Sequence, residues 1–135
     1  MTDFIGRGEE RTVAILKHLF PKSDILQQTP IQIVIRDEDY AKLGPEHNKH
    51  KFDILVLAHP DDFVIEVNYK HGVMATQKWF NVYEPLLKKA HCLGVTIDDN
   101  ECESLFQLDK GEHENTWQDW IDVIRALENA GVKPR

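Results

Sequence analysis

Two carboxylates in this sequence stand inside apolar runs. Asp53 lies in Phe-Asp-Ile-Leu-Val-Leu-Ala at 52–58, and Glu66 lies in Phe-Val-Ile-Glu-Val-Asn-Tyr at 63–69. Acidic side chains rarely enter apolar surroundings without a partner, because losing their hydration is costly. The intervening His-Pro-Asp-Asp at 59–62 reads as a turn, so the two runs are expected to pair as an antiparallel hairpin. If the carboxylates converge to about 4 Å, they repel by about 4 kcal/mol at an effective dielectric near 20. A shared proton, a basic side chain or a cation must offset this. Mg²⁺ is the natural candidate, with Mn²⁺ as a substitute, since it accepts one or two carboxylates and fills its remaining positions with water and substrate phosphate.

Alternation along a strand puts Glu66, Asn68 and Lys70 on one face, in steps of about 6.6 Å. A lysine there could orient or deprotonate a metal-bound water, or offset charge on a phosphoryl group. Asp53, Glu66 and Lys70 are therefore the candidate catalytic residues. His71 follows directly and could contact phosphate or donate a proton. The spacing His47-x-x-His50 falls in a loop and lacks a second ligand pair, which argues against zinc.

Elements that could hold these groups are legible around them. Residues 9–20 read as a helix with Val13, Leu16 and Phe20 on its inner stripe, stopped by Pro21. Residues 31–36, Ile-Gln-Ile-Val-Ile-Arg, are β-branched and predict a strand; 37–51 predict a loop with a helical turn around Glu38–Leu43. A helix is expected over 75–90, with Trp79, Val82, Tyr83 and Leu86 on one stripe and Pro85 an obstacle within it. A further core strand is expected over 92–97. A final helix over 116–129 is expected to run its apolar stripe through Trp117, Trp120, Ile121, Ile124 and Leu127. The aromatic pairs Trp79/Tyr83 and Trp117/Trp120 read as core packing. The order α-β-β-β-α-β-α predicts an α/β fold, a mixed sheet flanked by helices.

The chain has 135 residues, which fits a single domain over 1–135. With 41% hydrophobic and 29% charged residues it reads as globular. No stretch approaches a membrane span, and no apolar run follows a basic start as in a secretory signal. Cys92 and Cys102 form no Cys-x-x-Cys pair and read as reduced thiols; the expected location is cytoplasmic. The formal net charge of −7 excludes a broadly basic nucleic-acid surface but leaves room for a local patch from Lys49, Lys51, Lys70, Lys78, Lys88 and Lys89.

An apolar strand with one Asp, a short turn, then an apolar strand with Glu-x-Lys resembles the signature of the PD-(D/E)XK nuclease superfamily. Here the motif reads Phe52-Asp53 followed by Ile65-Glu66-Val67-Asn68. The resemblance spans roughly residues 9–106 and rests on the order of elements as much as on the motif. It implies a restriction-endonuclease-like core and metal-dependent hydrolysis of DNA phosphodiesters. Asp53 and Glu66 would be metal ligands, with the Val67 backbone carbonyl completing the site. Glu10, or alternatively Glu9, would assist from the first helix. Asn68, His71, Gln77 and Lys78 would contact substrate. By analogy, a homodimer would bring two sites to two strands. The chain departs from the pattern at Asn68, where the family carries lysine; Lys70 or Lys78 could replace it. The alternative expectation is a non-catalytic module on the same scaffold, binding nucleic acid or protein through a degenerate site.

Overall fold

A computed structural model describes residues 7–58, 60–68, 77–98, 102, 105 and 116–133. Among the described residues four strands form one sheet: β1 (Asp24–Pro30), β2 (Lys51–Leu57), β3 (Phe63–Asn68) and β4 (Leu93–Asp98), neighbours in that order. β1 and β2 are antiparallel, as are β2 and β3, so the expected hairpin is present. β4 runs parallel to β3. A parallel neighbour needs a crossover rather than a tight turn. Part of that connection is a π-helical segment, Trp79–Tyr83, leading into a helix labelled α4 (Glu84–Lys89).

Apolar side chains cover both faces of the sheet. On one face α1 (Arg7–Leu19) and α5 (Trp117–Asn129) pack Val13, Leu16, Val123 and Leu127 against Ile54, Val56, Phe63, Ile65, Val95 and Ile97. On the other, Ile31, Ile35, Trp79, Tyr83 and Leu87 pack against Phe52, Leu55 and Val64. The fold is thus an α/β arrangement with a mixed sheet between helices, as the order of elements predicts. Among the described residues no helix is long and apolar enough to cross a membrane. Both cysteines are buried and form no disulfide.

The first strand is not where β-branching puts it. Residues Ile31–Val34 form a short helix, α2, and the strand is the preceding Asp-Ile-Leu-Gln-Gln-Thr-Pro. Ile31 and Ile35 are both buried, and Ile35 N–H donates to the Ile31 carbonyl at 3.0 Å. Burying an i, i+4 pair over Phe52 and Val64 overrides β propensity, which measures fit to a pleated surface more than a backbone preference. β1 is an edge strand, so it tolerates polar residues and a terminal proline. The predicted helical turn in the next segment is α3 (Asp37–Ala41).

Pro85 is accommodated by widening the helix before it. The Glu84 N–H donates back to the Trp79 carbonyl, five residues away. A π-turn of this kind shifts the register just before a residue that has no N–H to give. Trp79 and Tyr83 stay in the core, and Leu87 rather than Leu86 becomes the fully buried residue beyond the proline. In α5 the expected stripe is buried only in part, with Leu127 in the core and Trp120 packed against it. Val123 and Leu127 face inward, whereas Trp117 is 85% exposed and Ile121 45% exposed. The start of α5 is fixed by a capping box: Asp119 N–H donates to Thr116 Oγ1, and Thr116 N–H donates to Asp119 Oδ2.

Gly94 on β4 is where the crossover meets the sheet. A Cβ there would lie 2.9 Å from Trp79 Cζ2 and 3.3 Å from Leu87 Cδ1. Trp79 is buried, so its ring has little room to yield. Gly94→Ala is expected to lower the free energy of unfolding by about 1–3 kcal/mol, measured by urea denaturation. A loss under about 0.5 kcal/mol, the range of an ordinary surface change, would show that the crossover is loosely packed.

Candidate functional site

The β2–β3 ladder pairs Val56 with Phe63, Leu55 with Val64 and Ile54 with Ile65. One step further along, side chains take over from backbone. Val67 N–H donates to Asp53 Oδ2 at 2.8 Å, and Asp53 N–H donates to Glu66 Oε1 at 3.3 Å. Each strand thus offers a backbone amide to the other's carboxylate, and the two acids meet at the end of the hairpin. Phe52 and Ile54 belong to opposite core clusters, although strict alternation would place both on one face. The strand therefore changes face around Asp53, which leaves that carboxylate half-buried between the two cores.

A third carboxylate comes from α1, and it is Glu9. Glu10 is exposed on the outer side of the helix, whereas Glu9 is buried. Gln27 Nε2 donates to Glu9 Oε2 at 2.8 Å, and Gln28 Nε2 donates to Glu9 Oε1 at 3.0 Å. Gln28 Nε2 also lies 3.4 Å from Asp53 Oδ1, linking the two acids. Consecutive residues of a strand normally point to opposite faces. Both glutamines reach Glu9 because Gln28 adopts a left-handed backbone, φ 52°. That conformation costs a non-glycine residue about 1–2 kcal/mol and concentrates at functional sites. Arg11, buried two residues beyond Glu9, donates from Nη1 to the Leu105 carbonyl at 2.6 Å and so anchors the helix that carries the acid.

The charges are poorly balanced. Burial raises the Asp53 carboxyl to about 7, helped by the neighbouring charges of Glu66 and Glu9; the Val67 N–H and the Gln28 amide oppose the rise. Burial also raises Glu9, against the hydrogen bonds from Gln27 and Gln28. Among the described residues no Lys or Arg forms an ion pair with Glu9, Asp53 or Glu66. Among the described residues His50 comes within ion-pair distance of the cluster, its Nε2 3.5 Å from Glu66 Oε1. Neutral amides satisfy hydrogen bonds but do not cancel charge, so the repulsion among these acids is relieved by keeping a proton or by taking up a cation.

Among the described residues no group of three or more His, Cys, Asp or Glu side chains is arranged to hold a metal ion by itself. An ion that keeps most of its waters does not need such a cage. One or two carboxylates are the usual protein share for Mg²⁺. Asp53 Oδ1 has only the long contact to Gln28, and Glu66 Oε2 has no partner among the described residues. The donor set therefore fits a hard divalent cation.

Other expected site residues are distributed as follows. Val67 enters through its N–H, which holds Asp53. Asn68 ends β3 opposite Asp98, and its side chain lies outside the described residues. Lys70 and His71 also lie outside them. Gln77 and Lys78 are exposed at the start of the crossover helix, and Lys78 borders a cavity of about 450 Å³ beside Glu66. Gln27, Gln28 and the bracing of His50 against Tyr83, rings 4.1 Å apart and 13° from parallel, were not expected from sequence. Comparison with family models, curated proteins and solved structures found no match.

The raised Asp53 carboxyl makes a stability prediction. The unfolded chain loses this proton near the ordinary value of 3.8, and the folded protein keeps it to about 7. Across that window the folded state binds more protons, so stability falls as pH rises and the full penalty remains above it. Asn keeps an oxygen for the Val67 N–H but carries no charge. In chelator and without divalent ions, Asp53→Asn is expected to melt above the parent at pH 8 and to lose that advantage towards pH 4. Equal or lower melting at pH 8 would contradict the electrostatic picture.

Proposed function

We propose that this protein is a metal-dependent nuclease that hydrolyses DNA phosphodiester bonds at the Asp53–Glu66 pair. The observation that carries the reading is the exchange of backbone amides and carboxylates across the end of the β2–β3 hairpin. It joins two acids of the motif in a half-buried setting where, among the described residues, neither has a lysine or arginine partner. The sheet order β1-β2-β3-β4, with β4 parallel to β3 and α1 before the sheet, agrees with a restriction-endonuclease-like core. Glu9 contributes the helix carboxylate that the resemblance assigns to this position.

In this reading Asp53 and Glu66 hold Mg²⁺ or Mn²⁺. The bound ion would acidify a water and neutralise charge on the attacked phosphate. The chain's own groups do the positioning. Val67 N–H fixes Asp53, Asp53 N–H fixes Glu66, and the two glutamines fix Glu9. Lys70 takes the basic role left open by Asn68. A homodimer would let two such sites act on two strands.

A second reading is favoured by Asn68 itself, which lacks the charge expected at the motif position. A scaffold that binds metal and DNA without cutting would account for that residue. Incubation of plasmid and branched DNA with Mg²⁺ or Mn²⁺ separates the two. Cleavage is expected in the parent, with a loss of roughly 10²-fold or more in Asp53→Ala and in Glu66→Ala. Lys70→Met should reduce the rate while metal binding persists. Cleavage that persists in Asp53→Ala contradicts the nuclease assignment, and metal binding without any cleavage favours the module.

A further inference from the structure

We propose that the cavity beside Glu66 receives one unpaired nucleotide of a DNA strand, with its phosphate held by Lys49 and Lys78. This rests on the nuclease reading and adds to it the form of substrate that the site accepts.

The cavity measures about 450 Å³. That lies within the roughly 300–1,000 Å³ of small-molecule sites, enough for one nucleotide and too little for stacked base pairs. Its wall is aromatic and braced. His50 stacks on Tyr83, the His47 ring meets Tyr83 edge-on with centroids 5.7 Å apart, and His47 Nδ1 lies 3.3 Å from the Tyr83 hydroxyl. Trp79 closes the same wall. A wall held in this way keeps its shape when empty, which lowers the ordering cost of binding.

The charges around the cavity are of both signs. Lys49 comes from the loop before β2, and Lys78 comes from the crossover; both are exposed. Glu46 and Glu66 border the same space. A bare anion would meet two carboxylates, and a bare cation would meet two lysines. A nucleotide carries both complements: an anionic phosphate for the lysines, and, in three of the four bases, an exocyclic amine that can donate to Glu46. The wider surface offers little help, since the net charge is −7. Affinity for a phosphate backbone comes from clustered cations, so a long duplex footprint is disfavoured and a short local grip is favoured. Bases that are already unpaired enter such a pocket without the cost of unstacking, which makes frayed ends, flaps and mismatches the preferred substrates.

The test is fluorescence anisotropy with labelled oligonucleotides in chelator, where no metal-dependent cleavage can occur. The probes are a single-stranded 12-mer, the blunt duplex of the same sequence and a duplex with a central mismatch. Single strand is expected to bind tightest and blunt duplex weakest. Lys49→Ala with Lys78→Ala, both at exposed positions, should weaken single-strand binding roughly tenfold. The same double variant should flatten the salt dependence by about 0.7 in log–log slope, which corresponds to one neutralised phosphate. Blunt duplex binding as tightly as single strand, a double variant that binds like the parent, or no binding to any probe each overturns the proposal. The cleavage assay keeps the two ideas apart. Cleavage lost in Asp53→Asn, with binding indifferent to the lysines, retains the nuclease and removes the cavity assignment. Lysine-dependent binding of single strand with no cleavage of any substrate does the reverse.

Discussion

The site depends on how one β-ladder ends. β2 and β3 pair through backbone groups as far as Ile54 and Ile65, and beyond that each strand's amide turns to a carboxylate of the other. A charge-assisted N–H···O⁻ bond is stronger than a neutral one, so the exchange holds two acidic side chains together despite their repulsion. It also fixes their orientation relative to the rigid centre of the sheet, whose faces are covered by separate apolar clusters. A site built on strand ends between two packed cores has little freedom to drift.

Among the described residues the same acids have no lysine or arginine partner. Glu9 and Asp53 are both pushed towards the protonated form by burial, and their hydrogen-bond donors are the neutral amides of Gln27, Gln28 and Val67. Gln28 additionally adopts a left-handed backbone to reach Glu9 and Asp53. A left-handed residue and buried carboxylates in one place cost stability. Such features gather where a ligand supplies the missing complement, and in the proposed function that complement is a divalent cation. His50, stacked on Tyr83 and 3.5 Å from Glu66, links the acid pair to the adjacent cavity. Metal and substrate would thus meet at a shared wall.

Much of this was legible in the sequence because it follows from local rules. Asp53 and Glu66 showed themselves as acids within apolar strands, and the hairpin between them followed from a four-residue turn. Val13 and Leu16 marked the buried stripe of α1, and Phe20 continues it just past the helix end. What sequence alone could not supply came from tertiary packing. Ile31 and Ile35 are β-branched and yet helical, because burying both on one face outweighs strand propensity. The polar edge strand at 24–30 carries no alternating pattern, so its glutamines were invisible as site residues. Glu9 and Glu10 are adjacent and chemically near-equal; only the rotation of α1 against the sheet separates them. Trp117 and Ile121 fit an apolar stripe by count but lie outside the one that α5 buries. In each case the deciding contact is distant along the chain.

The proposed function rests on Asp53 and Glu66 jointly holding one divalent ion. Calorimetric titration of the metal-free protein with Mn²⁺ reads this without requiring a substrate. That proposal predicts a saturable transition at one ion per chain that disappears in Asp53→Asn and in Glu66→Gln, while both variants keep the parent's circular dichroism. A parent that shows no saturable binding, or variants that bind as the parent does, would contradict it.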